Sequence, residues 1–275
     1  MSSHPAHEGR RVTIHDLAAM RARGERITML TAYDTNAAGI LDEHGVPVLL
    51  VGDSLGMVML GHPTTLPVTL DDMIDHASAV MRARPRSLVV VDLPFGSFQQ
   101  GPDQALASAV RVVKESGADA VKIEGGARVV ASVRAIVAAG IPVMGHLGLT
   151  PQSVAQFGGF RVQGRDAASA ERIVEDAVAL GEAGAFAIVL ECIPASLAAR
   201  VTKASPVATI GIGAGGAVDG QVLVWHDLLG LGADRSPRFV RAYADLRTVI
   251  GAAIDAFQAD VRSGAFPSVE ESYGD

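Results

Sequence analysis

Residues 120–126, with the sequence AVKIEGG, contain two ionisable side chains inside a short apolar segment. Such a segment is typical of a β-strand, and alternate side chains of a strand point to one face, so Lys122 and Glu124 share a face. Burying two ionisable groups is unfavourable unless they are paired or used. Three roles are open for Lys122: a counter-ion for buried acids, an anchor for a substrate carboxylate, or a nucleophile that forms an imine.

Carboxylates also follow the two preceding apolar segments, where Asp53 and Asp92 stand. For a single such residue, Asp34 for example, capping of the next helix is the favoured interpretation. Three carboxylates on adjacent strands, about 4.8 Å apart, would repel one another, and a cation would relieve that repulsion. Oxygen ligands favour a hard cation. Mg²⁺ is such an ion, and it keeps several coordination positions for water or substrate when few carboxylates hold it. We therefore predict a Mg²⁺ site formed by Asp53, Asp92 and Glu124.

The elements that must position these residues follow a repeated pattern. Four times, a helix-like stretch ends at a glycine and is followed by a short apolar segment with a polar residue at its end. In each unit the polar residue comes six to eight positions after the glycine. The four pairs are Gly45 and Asp53, Gly117 and Glu124, Gly140 and His146, and Gly184 and Glu191. Each predicted strand thus ends at a side chain that can do chemistry.

Further apolar segments at residues 27–33, 87–91, 207–212 and 221–225 bring the number of predicted strands to eight. Helical patterns separate most of them, as at residues 71–83, which open with a capping box from Thr69 to Asp72, and at 166–182. Strands rich in Val, Ile and Leu that alternate with helices predict a parallel sheet covered on both faces. We therefore predict an α/β protein, a (β/α)8 TIM-type barrel that forms one domain over residues 1–275.

Segments outside this pattern carry their own predictions. We expect an extra N-terminal helix at residues 13–23, a long final helix at 237–262 and a disordered tail at 1–11. Residues 214–220 are too few for a full crossover helix, so we expect a single helical turn there. The glycine loop at 211–216 follows a seventh strand and opens no nucleotide-binding helix, which leaves phosphate binding and close backbone packing as its two interpretations.

Barrel geometry brings two more polar residues to the predicted site. Strand six of eight faces strand two, so Glu191 lies across the mouth from the metal ligands. In an apolar environment its carboxylate would be a candidate general base. A salt bridge to a loop arginine is the alternative for Glu191. His146 is equally explained as a base or as a structural histidine at the end of a strand.

Composition excludes several classes of function. The net charge of -7 argues against binding to nucleic acid or to an anionic membrane, because both need a basic surface. The single cysteine, Cys192, cannot form an intrachain disulfide, and we interpret it as a small buried side chain. The sequence has no export signal and no apolar run of about 18 residues, so we expect a cytoplasmic protein.

Several segments resemble the ketopantoate hydroxymethyltransferase family across residues 13–267. They are TAYD (31–34), VGDSLGMVMLGHPTTLPVTLDDM (51–73), VVDLPFGSF (90–98), VKIEGG (121–126), GHLGLTPQS (145–153), GGFRVQGR (158–165), LECIP (190–194), IGIGAG (210–215) and DGQVLVWHDLLGL (219–231). The resemblance implies a Mg²⁺-dependent barrel enzyme of pantothenate biosynthesis. Such an enzyme transfers a one-carbon unit from 5,10-methylenetetrahydrofolate to 3-methyl-2-oxobutanoate and gives 2-dehydropantoate.

The resemblance also implies roles for individual residues. Asp53, Asp92 and Glu124 correspond to metal ligands, with Asp53 and Asp92 also touching the substrate. Ser54 and Lys122 correspond to residues that hold the keto acid. Glu191 corresponds to the base, and His146 is a candidate for a supporting role. The family further implies a homodecamer.

Three other functions compete with this hypothesis. The nearest is another Mg²⁺-dependent α-keto-acid lyase or mutase, of the phosphoenolpyruvate mutase and isocitrate lyase type. A second is a lysine-dependent aldolase in which Lys122 forms the imine. The third, which lies outside catalysis, is a barrel that binds metal and keto acid without turnover.

Overall fold

The computed structural model describes residues 9–232 and 237–274. Eight parallel strands in the described residues form a closed barrel in sequence order. They are β1 Ile27–Thr31, β2 Val48–Val51, β3 Leu88–Asp92, β4 Ala120–Glu124, β5 Val143–Gly148, β6 Ala187–Glu191, β7 Ala208–Ile212 and β8 Gly220–Leu223. The pairing of β1 with both β2 and β8 closes the barrel. The predicted (β/α)8 fold is therefore confirmed.

Helices cover the outside of this barrel. The α-helices of the first part of the chain are α1 Ile14–Ala22, α2 Thr35–Glu43, α3 Leu55–Val58, α4 Leu70–Arg82, α5 Pro102–Ser116, α6 Val130–Ala138, α7 Val154–Phe157, α8 Ala167–Glu182 and α9 Ala195–Ala204. Short 3-10 helices occupy Ala127–Val129 and Pro151–Ser153. The extra N-terminal helix is confirmed as α1. The capping box between Thr69 and Asp72 is also present and begins α4.

The interior of the barrel has an apolar floor and a polar mouth. Side chains of β3 alternate, so Leu88 and Val90 belong to the buried apolar cluster and Asp92 extends the same row. In the same way Ala120 of β4 is followed by Lys122 and Glu124. The polar residues therefore lie above a packed apolar layer at the C-terminal end of the strands, which is where barrel enzymes place their active sites.

The chain divides into two compact units. The first ends at Val224 and contains the barrel, and the second begins at Trp225 with α10 Trp225–Leu228 and contains α11 Leu246–Ser263. His226, which directly follows the strand predicted at residues 221–225, belongs to α10. The single domain over residues 1–275 stays a prediction. Residues 1–8, most of the predicted disordered tail, lie outside the described residues.

Two local predictions were wrong. Residues 213–219 form bends and no helical turn, because Gly213 and Gly215 have φ of 63° and 79°, outside the helical region. The final helix begins at Leu246 and not near residue 237, since Asp245 caps it by accepting a hydrogen bond from Thr248 N. Upstream of that cap, Tyr243 N donates to Leu228 O, which ties the segment to the turn after α10. None of the helices in the described ranges is both long and apolar enough to cross a membrane.

Asp42 ties the end of α2 to the start of β3. Its Oδ1 accepts hydrogen bonds from Arg86 N at 2.7 Å and from Ser87 N at 2.9 Å. Burial acts to raise the pKa of Asp42, but the bonds from Ser87 and Arg86 outweigh it and lower the pKa. A carboxyl with a lowered pKa stabilises the folded state above its unfolded pKa, near 4, and loses that effect as the pH falls through the folded pKa.

We therefore expect Asp42→Ala to lower the free energy of unfolding by about 2 kcal/mol at neutral pH, because charged hydrogen bonds of this kind are lost. Denaturant titration of both proteins at pH 7 and below pH 4 measures the difference, which should shrink in acid. Asp71→Ala is the control, since Asp71 is an exposed partner of Arg111 and its loss should cost well under about 1 kcal/mol. Equal losses in the two variants would contradict the prediction.

Candidate active site

Six polar residues from five consecutive strands or strand ends lie at the C-terminal end of the barrel. Five of them are buried, with 2% to 4% of their surface exposed, and the sixth, Glu191, has 17% of its side chain exposed. The buried residues are Asp53, Asp92, Lys122, Glu124 and His146. The structure thus brings together residues that are far apart in sequence and gives one of them contact with solvent.

Asp34 lies outside this group and has a different task. It is the N-cap of α2, where its Oδ1 accepts a hydrogen bond from Ala37 N at 2.9 Å. This is the capping role that the sequence favours for a lone aspartate at the end of a strand.

Lys122 lies between an acid and the histidine. Its Nζ is 2.8 Å from Asp92 Oδ1 and 3.1 Å from His146 Nδ1. Burial acts to lower the pKa of Lys122, but the charges of Asp92, Glu124 and Asp53 outweigh burial and raise the pKa above its usual value. Lys122 is therefore an ammonium ion, which can balance a carboxylate but cannot attack a carbonyl.

His146 connects this part of the site to Glu191. Its Nδ1 faces Lys122, and its Nε2 lies 3.2 Å from Glu191 Oε2. Burial, followed by the charge of Lys122, lowers the pKa of His146, so the ring is neutral at pH 7. Because the ammonium donates to Nδ1, we assign the ring proton to Nε2, the nitrogen on the side of Glu191.

The acidic residues of the group carry more negative charge than Lys122 can balance. Burial, together with the charges of Asp92 and Glu124, raises the pKa of Asp53 well above its usual range. Burial is also the main cause that raises the pKa of Glu124, to about 7. Within the described ranges, Asp92 Oδ1 lies 2.8 Å from Lys122 Nζ and Glu124 Oε1 lies 3.2 Å from His146 Nδ1, but neither oxygen accepts a well-directed hydrogen bond. The site is therefore short of positive charge.

These features fit a hard cation that takes only a few of its ligands from the protein. Among the described residues, no three His, Cys, Asp or Glu side chains are already arranged as a metal-binding group. Mg²⁺ does not need such a cage, because one or two carboxylates hold it while water or substrate oxygens complete its shell. Buried carboxylate oxygens that accept no well-directed hydrogen bond are suitable ligands for that ion.

Two residues of the site were missed by sequence reasoning. Tyr33 is buried, and its hydroxyl lies 2.9 Å from Ser54 Oγ, so it helps to orient the serine beside Asp53. Gln152 is buried against Asp53 and Glu124. They stand within the motifs TAYD and GHLGLTPQS, in the connections that follow β1 and β5, and that position is the one signal in the sequence that could have found them.

Gly148 allows β5 to pass close to Glu191. Its φ of +92° lies in the region that only glycine adopts readily, and a Cβ on it would come within 2.2 Å of Glu191 O. Leu149 N donates to that same carbonyl oxygen at 2.9 Å. The backbone of Glu191 is therefore fixed while its side chain remains partly open.

A cavity of about 450 Å³ opens beside the site. Gly125 and Leu147, which line it, directly follow Glu124 and His146. Phe157, Gln163 and Arg172 form part of its outer wall. A ligand too large for the buried group of acids has space here.

The sequence matches the family model described as ketopantoate hydroxymethyltransferase over residues 11–269. The chain is 58% identical to 3-methyl-2-oxobutanoate hydroxymethyltransferase of Frankia alni, with 96% of this chain and 86% of that protein covered. The protein of the same name from Moorella thermoacetica is 59% identical, with coverage of 96% and 98%. The one from Thermobifida fusca is 56% identical, with coverage of 99% and 100%.

Solved structures with a similar fold are more distant in sequence. Phosphonopyruvate hydrolase in complex with oxalate and Mg²⁺ has a TM-score of 0.59 and 15% identity, with 94% of this chain and 92% of that chain covered. For 2,3-dimethylmalate lyase, a member of the phosphoenolpyruvate mutase and isocitrate lyase superfamily, the TM-score is 0.57 and the identity 17%, with coverage of 94% and 90%. At these identities the likeness concerns the fold alone.

Proposed function

This chain belongs to the ketopantoate hydroxymethyltransferase family, and we propose that it transfers a one-carbon unit from 5,10-methylenetetrahydrofolate to 3-methyl-2-oxobutanoate with the help of Mg²⁺. As a hydroxymethyltransferase it serves pantothenate biosynthesis. The observation that carries the mechanism is the buried acidic group with a partly open carboxylate, Glu191, beside it.

Asp53, Asp92 and Glu124 are the proposed metal ligands. Their support is the excess of buried negative charge and the two buried carboxylate oxygens that accept no well-directed hydrogen bond in the described ranges. Mg²⁺, when bound, would act as a Lewis acid that favours loss of a proton next to the keto group. The protein supplies the oxygen ligands and, below them, the buried apolar layer of the barrel interior.

Lys122 and Ser54 are the proposed residues that hold the keto acid. The Lys122 ammonium offers charge to the substrate carboxylate, and Tyr33 keeps the Ser54 hydroxyl in place. Glu191 then removes the C3 proton, and the electrons of the broken C–H bond form the new bond to the one-carbon unit of the donor. Water supplies the hydroxyl oxygen, and the two carbon–nitrogen bonds to that carbon break, so tetrahydrofolate leaves with the C3 proton and one proton of the water on its nitrogens. His146, whose Nε2 lies 3.2 Å from Glu191 Oε2, is the proposed neighbour that limits the positions of that carboxylate.

Because Lys122 is an ammonium ion, we expect borohydride to trap no imine. Treatment of the enzyme with 3-methyl-2-oxobutanoate and borohydride should leave the peptide that contains Lys122 at its unmodified mass, while a chelator should stop turnover. Peptide mass spectrometry measures the first result. An adduct with the mass of the reduced keto acid on Lys122 would replace the metal mechanism with that of a lysine-dependent aldolase.

The proposed reaction has a direct assay. Enzyme, Mg²⁺, 3-methyl-2-oxobutanoate and the folate donor should give 2-dehydropantoate, and omission of the donor should abolish the product. A lyase or mutase of the phosphoenolpyruvate mutase type would act on its keto acid without folate. A binding protein would bind keto acid and metal and give no product under any of these conditions.

Assembly and location are further proposals that rest on family membership. We propose a homodecamer in the cytoplasm. Apolar side chains of α11 are exposed and would be covered in an assembly, namely Val249, Ile250, Ile254, Phe257 and Val261. Light scattering on the purified protein measures the mass, and a monomer at micromolar concentration would refute the assembly.

A further inference from the structure

We propose that Gln152 is a positioning residue that fixes the Asp53 carboxylate for metal binding. The inference rests on the metal site of the proposed function and assigns the part of the chain that prepares it. Gln152 is 6% exposed and lies in the 3-10 helix Pro151–Ser153, four residues after the end of β5.

Gln152 connects three neighbouring strands. Its Nε2 donates to Asp53 Oδ2, after β2, and to Leu93 O, after β3, both at 2.9 Å. Its backbone N donates to Glu124 Oε2, at the end of β4, at 3.1 Å. Gln152 therefore donates hydrogen bonds to two of the three proposed ligands, Asp53 and Glu124. Its bond to Leu93 O also connects them to the backbone next to the third ligand, Asp92.

The amide group suits this task better than a charged group would. An amide donates to Asp53 without adding a positive charge that would compete with the cation, and without adding a fourth acid to a site already rich in them. Gln99 Nε2 lies 3.4 Å from Gln152 Oε1, which keeps the NH₂ end turned towards Asp53. The uncharged amide of Gln152 thus holds the Asp53 carboxylate, which the nearby acids Asp92 and Glu124 repel.

Removal of the amide should weaken metal binding before any substrate is present. Partners that orient a ligating carboxylate typically contribute 10- to 100-fold in metal affinity. In Gln152→Met the side chain keeps its length and loses both donors, while the backbone bond to Glu124 remains. We expect the dissociation constant for Mn²⁺, used as a spectroscopic substitute and measured by electron paramagnetic resonance without substrate, to rise about 10- to 100-fold.

Steady-state kinetics supply a second readout that a loss of stability alone would not produce. The Mg²⁺ concentration for half-maximal activity should rise with the Mn²⁺ constant, and saturating Mg²⁺ should restore most of kcat. Gln104→Met is the matched control, because Gln104 caps the loop before α5 through Gly96 O and Gln100 N and touches none of the proposed ligands. It should bind Mn²⁺ like the wild type.

Each outcome decides between the proposals. Wild-type Mn²⁺ affinity in folded Gln152→Met would overturn the positioning role and leave the proposed function intact. Failure of the wild type to bind Mn²⁺ would overturn the proposed metal site and this inference with it. If Gln152→Met does not fold, Gln152→Asn carries the test, since it keeps the amide, is one methylene too short to span both acceptors and should lose the same affinity.

Discussion

Glu191→Gln should lose the exchange of the C3 hydrogen of 3-methyl-2-oxobutanoate by about 10²- to 10⁴-fold, the range typical of a general base. The substitution preserves shape and removes basicity. The amide can still face His146 Nε2, from which the carboxylate now lies 3.2 Å away. Proton removal precedes carbon transfer, so nuclear magnetic resonance in D₂O with enzyme, Mg²⁺ and keto acid measures this step without the folate donor.

His146→Gln separates the two candidates for the base. The neutral ring contacts Lys122 and Glu191, and burial lowers its pKa, so we expect exchange in this variant to stay close to that of the wild type. Keto-acid binding should be largely retained in both proteins. Exchange that survives in Glu191→Gln and disappears in His146→Gln would assign the base to the histidine.

Asp92→Asn should abolish turnover and leave the fold intact. The wild-type Oδ2 accepts a hydrogen bond from Asp53 N at 3.0 Å, and an amide oxygen can accept the same bond. The charge is not replaceable, because Asp92 Oδ1 lies 2.8 Å from Lys122 Nζ and is one of the oxygens proposed for the metal. Its loss leaves one negative charge fewer between the Lys122 ammonium and the cation site, so the repulsion between the two positive charges is less balanced.

The measurements are Mg²⁺-dependent product formation and Mn²⁺ binding, with circular dichroism to verify the fold. Asp34→Asn provides the control, since Asn caps helices as well as Asp does and Asp34 only caps α2. It should keep its activity. Normal turnover and metal binding in Asp92→Asn would remove Asp92 from the ligand set.

The sequence predicted the architecture because its information is local and repeated. Apolar strands of four to six residues recur, several of them with a polar residue at the C-terminal end, and alternation along β4 places Lys122 and Glu124 on the inner face. The segment before α11 has a composition typical of a helix. The hydrogen bond from Thr248 N to Asp245, which marks the true start of α11, is seen only in the structure. Propensity alone could not locate that boundary.

The missed parts of the site depend on contacts distant in sequence. Gln152 meets Asp53 across 99 positions of the chain, and its place in the connection after β5 does not show which side chain it will contact. The contacts of His146 with both Lys122 and Glu191 follow only from the fold, because a base and a structural histidine were equally consistent with its place in the sequence. Residue types near a strand end predict a site, whereas the hydrogen bonds among them come from the fold.

The alternation of β3 to β6 limits which insertions and deletions this chain can accept. In β3 and β4, every second residue points into the barrel, and these residues form both the apolar floor and the polar mouth. They are Leu88, Val90 and Asp92 in β3, and Ala120, Lys122 and Glu124 in β4. Because the side-chain period of a strand is two, gain or loss of a single residue would turn the acids outward against the helices and the helix-facing apolar residues inward to the mouth. We therefore expect the connections between elements to accept changes of length, whereas β3 and β4 should accept only substitutions.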